Sequence, residues 1–132
     1  MAVRSPMNVL LDTCALLALA RGELPESSSA ALRTAPEAWV SVITPWEVTI
    51  KAAAGKLELD EPPYLWFLGM IERHNLQEIE LNSQIACAAA GLPDIHRDPF
   101  DRILVALAQA RALTILTSDR NISKYPGIKT LW

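Results

Sequence analysis

Four acidic residues, Asp12, Glu47, Asp101 and Asp119, sit where short apolar runs meet helical stretches. Each has a local use. Asp12 and Asp98 suit helix N-caps, and Thr44-x-x-Glu47 behind Pro45 reads as a capping box. Asp101 follows Asp98-Pro99 in a first helical turn, and Asp119 suits an Asx turn with Arg120-Asn121. Capping explains each acid alone, but not why acids recur at one kind of junction. Carboxylates brought together repel, by about 4 kcal/mol for two charges ~4 Å apart at an effective dielectric of 20. A fold keeps such a cluster if it binds a cation or leaves a carboxyl protonated. Carboxylate and water ligands with no His or Cys suit Mg2+ or Mn2+, and a cation held so points to chemistry on phosphate.

Cationic residues lie close in sequence. Lys51 is one helical turn beyond Glu47, where an i,i+4 ion pair is the simplest role. Arg102 follows Asp101, and Arg97 and Arg120 flank the acids. The two histidines are His74 and His96; His96 reads as a loop or helix-entry contact. Thr117 stands two residues before Asp119 and offers a hydroxyl to it or to a water. Gly-x-Ser-x-Gly and P-loop patterns are absent. Cys14 and Cys87 lie in apolar helical stretches, where a cysteine is usually a small hydrophobe. They make no zinc spacing or disulfide framework, which fits a reducing cytosol.

The surrounding chain supplies elements to position the acids. Strands are expected at Val9-Leu10-Leu11, Trp39 to Val42, Glu78 to Leu81 and Leu113 to Thr117, with an edge strand at Lys129 to Trp132. Helices are expected over Thr13 to Arg21, Ser27 to Arg33, Thr44 to Ala54, Pro62 to Arg73, Ser83 to Ala90 and Asp98 to Ala112. Strands alternating with helices indicate an α/β fold with a mostly parallel sheet covered on both faces. Sites in such sheets lie beyond the carboxyl ends of the strands.

The chain has 132 residues, one domain's worth, with 51% hydrophobic and 20% charged residues, so it is not a disordered tail. A net charge of −3 excludes a globally basic nucleic-acid clamp. Met7 is an alternative start, leaving 1–6 as an unstructured prefix to a domain over 7–132. Asp12 interrupts the apolar run from Val9 to Ala20, which argues against a signal peptide, and no run reaches the ~18 apolar residues of a membrane span.

The stretches Leu10-Leu11-Asp12-Thr13, Ser41-Val42-Ile43-Thr44-Pro45-Trp46-Glu47 with Lys51 and Gly55-Lys56-Leu57, Leu92 to Arg102, and Leu116-Thr117-Ser118-Asp119 follow in order. Together they resemble the PIN-domain ribonucleases, above all the VapC-type toxins of toxin–antitoxin pairs. The resemblance implies a three-layer α/β/α fold and Mg2+- or Mn2+-dependent endonucleolytic cleavage of RNA, leaving 5′-phosphate and 3′-hydroxyl ends. It assigns catalysis and metal binding to Asp12, Glu47, Asp101 and Asp119, with the metal most often given to the positions of Asp12 and Asp101. It also implies a cytoplasmic protein with an antitoxin partner and a homodimer. The chain departs from the pattern at Cys14, where His is common, near Gln84, where a His is missing, and at Leu107, where Gln is frequent.

Two other readings compete with this one. One is a PIN-like interaction module that binds an antitoxin, and DNA with it, with little or no cleavage; the four acids argue against it. The other is an aspartyl-phosphate phosphatase, which needs a second Asp where Cys14 stands. The stretch Tyr64-Leu65-Trp66-Phe67-Leu68 leaves two readings open: a fully buried helix, or an antitoxin- or dimer-contact face.

Overall fold

A computed structural model of the chain describes residues 7–132. The expectation for residues 1–6 lies outside them. Five strands form one parallel sheet: β1 (Val9–Leu11), β2 (Ala38–Ser41), β3 (Gln77–Ile79), β4 (Thr114–Leu116) and β5 (Lys129–Leu131), in the order β3-β2-β1-β4-β5. The helices are α1 (Thr13–Arg21), α2 (Glu26–Thr34), α3 (Ile43–Ala53), α4 (Pro63–His74), α5 (Ser83–Ala90) and α6 (Pro99–Arg111), with a short 3-10 turn at Ile122–Lys124.

The two-residue period of the strands sorts their side chains into two cores. Leu10 and Ile115, paired across β1 and β4, join Ile79, Leu104 and Leu107 under α5 and α6. Val9, Leu11, Val40 and Leu116 face the other way and pack with Leu16 of α1, Ala31 of α2, and Phe67 and Met70 of α4. The result is the expected three-layer α/β/α domain. β1 is buried on both faces, which accounts for its uninterrupted apolar run.

The chain steps from β1 outward to β2 and β3, then returns to place β4 on the other side of β1. That reversal makes the carboxyl ends of β1 and β4 a topological switch point. The order helps position the acids: Asp12 directly follows β1, and Asp119 lies three residues beyond the end of β4.

Three local expectations change. β3 runs over Gln77–Ile79, not Glu78 to Leu81, because its ladder must match β2, which ends at Ser41 opposite Ile79. α3 begins at Ile43 without a side-chain cap from Val42, so the Thr44–Glu47 capping box does not form. The Ser41 hydroxyl accepts the Ile43 N–H instead, and Thr44 is buried. Cys14 and Cys87 are both exposed rather than core residues.

Candidate metal centre

Asp12 is held by the start of α1. The Ala15 N–H donates to Asp12 Oδ1 at 2.7 Å, so the N-cap role is real, yet only 4% of the residue is exposed. Burial is the main force on its carboxyl and raises it from the ordinary 3.8 to about 6. Hydrogen bonds from Thr117 and Ala15 oppose that rise, while the charges of Glu47 and Asp119 add to it. A buried cap surrounded by like charges exceeds what capping needs.

Glu47 lies on the first turns of α3 and is buried. Thr13, the residue after Asp12, donates its hydroxyl to Glu47 Oε1 at 2.6 Å across 34 positions of sequence. Lys51 Nζ lies 2.7 Å from Oε2, as the i,i+4 spacing suggested. The Lys51 ammonium loses some solvation, but the hydrogen bond and charge of Glu47, with Asp98 and Asp101 behind it, raise its pKa above the usual value. The sequence marks Thr13 only as a hydroxyl directly after a strand-end Asp.

Asp101 stands in the first turn of α6, whose cap is Asp98: Asp98 Oδ1 accepts the Phe100 N–H at 2.9 Å. Burial, then the neighbouring Asp98 charge, lifts the Asp101 carboxyl from 3.8 to about 7. His96 opposes the rise, and Asp12 and Glu47 reinforce it. Asp119 makes the expected Asx turn, accepting the Asn121 N–H at Oδ1, and its own N–H donates to the Thr117 hydroxyl.

The largest departure concerns His96. It is more than a loop contact, since Nε2 lies 3.1 Å from Asp101 Oδ2 and 2.9 Å from Asp119 Oδ2. One donor atom from each of these three residues lies within 4.8 Å of the others. A His two residues before a predicted N-cap carries no pattern that marks this. Arg102 also corrects its expected role beside the cleft. Its guanidinium donates to the carbonyls of Ala90, Leu92, Pro93 and His96, clamping the loop before α6. Arg97 and Arg120 are exposed.

Asp12, Glu47, Asp101 and Asp119 thus converge on one cleft of ≈ 230 Å³, lined also by Thr13, Cys14, Lys51, Asp98 and Ser118. It opens at the switch point between β1 and β4. Larger hollows lie elsewhere, but none of them gathers these acids. Hard oxygen donors in this number, with one imidazole at the edge, fit a Mg2+- or Mn2+-type cation better than a zinc ion.

Fold and cleft define a class: a parallel α/β domain with clustered carboxylates at the carboxyl edge of its sheet. The PIN domain family model matches residues 9–128, and the chain belongs to that family. No curated protein matches it. Among solved structures it is similar to a chain of the promoter-DNA-bound VapBC2 from Rickettsia felis, with TM-score 0.69 and 15% identity over 95% of this chain and 98% of that one. It is also similar to a chain of DNA-bound VapBC from Salmonella typhimurium, with TM-score 0.67 and 22% identity over 95% and 97%. A chain of a toxin–antitoxin complex from Klebsiella pneumoniae gives 0.65 and 21% over 94% and 96%.

Proposed function

We propose that the chain is a divalent-metal-dependent endoribonuclease and the toxin of a toxin–antitoxin pair. The observation that carries the reading is the convergence of Asp12, Glu47, Asp101 and Asp119 on one cleft, with two carboxyls pushed to about 6 and about 7. Such values mean that the fold keeps negative charge where it is poorly solvated, and a cation relieves that. Membership of the PIN family and likeness to chains from toxin–antitoxin complexes support the rest.

Asp12, Glu47, Asp101 and Asp119 would hold Mg2+ or Mn2+. When bound, the ion would orient a water, promote its ionisation and offset charge on a phosphodiester. The chain's own residues set the stage. Asp12 is fixed through Oδ1 by the Ala15 N–H, and its side chain lines the cleft. Glu47 is held on one oxygen by Thr13 and on the other by Lys51, so its carboxylate is aimed rather than free to rotate. Lys51 balances one of the acids and supplies the cation nearest to an incoming phosphate. Asp119 is braced by Asn121 and His96 and can orient a water with its remaining lone pairs.

The test is cleavage of RNA by purified protein with Mg2+ or Mn2+, and analysis of the new ends. Wild type should leave 5′-phosphate and 3′-hydroxyl ends. Asp12→Asn and Asp101→Asn should each lower the rate at least a hundredfold, while Asp98→Asn changes it little because Asn caps as well as Asp. Equal cleavage by wild type and Asp101→Asn contradicts the assignment. Antitoxin binding without cleavage in either ion would favour the interaction module.

A further inference from the structure

Every polar atom of His96 has a partner, and the partners come from three segments of the chain: residues 98–102, Asp119 and Tyr125. Its backbone N–H donates to the Tyr125 hydroxyl at 3.0 Å. Its carbonyl accepts from that same hydroxyl and from Arg102. Its Nδ1 accepts the Asp98 N–H at 3.3 Å. An imidazole nitrogen that accepts carries no proton, so the ring proton of the neutral side chain sits on Nε2. Nε2 is hydrogen-bonded to Asp119 Oδ2 at 2.9 Å and lies in close contact with Asp101 Oδ2 at 3.1 Å.

We propose that His96 is a positioning residue of the acid cluster, its Nε2–H bonded to Asp119 and its ring packed against the Asp101 carboxylate, so that the two acids meet the cation already aligned. This rests on the metal-dependent reading above. The alternatives differ in sign. An imidazole that ligates the ion through Nε2 needs the opposite tautomer, with a proton on Nδ1 pointing at the Asp98 N–H. An imidazole that merely fills the ion's seat must be pushed out when the ion enters. The backbone anchoring by Tyr125 and Arg102 opposes such a displacement. Positioning uses the proton where the hydrogen bonds already put it. Carboxylate oxygens not engaged by His96, such as Asp101 Oδ1, stay available to the ion. Hydrogen-bond partners of metal ligands typically contribute 10–100-fold to metal affinity.

The experiment is Mn2+ binding to the full chain, followed by the electron paramagnetic resonance of the free ion, for wild type, His96→Ala and His96→Gln. Pulsed measurements on the bound ion read any directly bonded nitrogen. Melts in EDTA check folding. His96→Ala should weaken Mn2+ binding about 10–100-fold. His96→Gln, whose amide keeps an N–H donor for Asp119, should recover most of it. Wild type should show no directly bonded nitrogen, a result that stands even if His96→Ala fails to fold. Equal or tighter binding by His96→Ala overturns the inference, as does a nitrogen bonded to Mn2+ in wild type. Failure of wild type to bind Mn2+ at all overturns the metal-dependent reading itself, and the inference with it.

Discussion

The Asp12 and Asp101 carboxyls sit near 6 and 7 because burial and neighbouring acids disfavour their charge. Both hold protons more tightly folded than unfolded. Their contribution to stability is therefore complete below pH about 4 and is lost as pH rises through 6 and 7. In EDTA, the melting temperature of Asp101→Asn relative to wild type should be higher at pH 8 than at pH 5, where wild type is already protonated. Affinity for Mg2+ should rise over the same interval, since the ion displaces those protons. A difference between the two proteins that does not change with pH would contradict the shifted carboxyl. The acids were legible in the sequence because their type and their junctions carry the signal. Thr13 and His96 were not, because their partners lie 34 and 23 positions away, and no local pattern encodes such a pairing.

The elements that aim these residues were mostly legible as well, since alternating apolar runs and caps are local features. Where they moved, tertiary register decided. Glu78-Ile79-Glu80-Leu81 alternates equally well in either frame, and pairing with Trp39 to Ser41 chose Gln77–Ile79. Thr44 was drawn into the interior, which took away its capping role. The loop before α6 depends on Arg102, which reads in sequence as a cleft cation and acts as a clamp on four carbonyls. Arg102→Ala should cost about 1.5–3 kcal/mol, the scale of hydrogen bonds to a charged group. It should also speed amide exchange in residues 91–98, as read by mass spectrometry. A substrate-contacting Arg102 would instead leave stability and exchange unmoved. On α4, Phe67 and Met70 enter the core while Tyr64, Leu65 and Leu68 are 67%, 52% and 40% exposed, so the fully buried reading of that helix fails. Tyr64→Ser with Leu65→Ser should leave the melting temperature within ~1 kcal/mol in stability terms, as surface changes do. We expect the same pair to disrupt dimer or antitoxin binding, measured by light scattering and co-purification. Unchanged assembly would remove α4 from the interface.

At the scale of the molecule, the chain carries a net charge of −3, and Asp12, Glu47, Asp98, Asp101 and Asp119 gather in one cleft at the edge of the sheet. Strand order was not readable from the sequence. It follows from the return of the chain past β1, which only the packed structure reveals, and it is what turns separated acids into one cleft. No described helix is long and apolar enough to cross a membrane. The proposed function requires the cleft to be a cation site rather than a set of caps. Thermal melts at pH 8 of wild type and Asp101→Asn, in EDTA and in excess Mg2+, separate the two. A cation site predicts that Asp101→Asn melts above wild type in EDTA. It also predicts that Mg2+ at a hundred times its dissociation constant adds about 2.7 kcal/mol to wild type, roughly 10 °C for a chain this size, and much less to the variant. If Asp101→Asn melts lower in EDTA, as loss of a first-turn acid predicts at about 0.3–1 kcal/mol, and Mg2+ leaves wild type unmoved, the acids are caps and the claim is wrong.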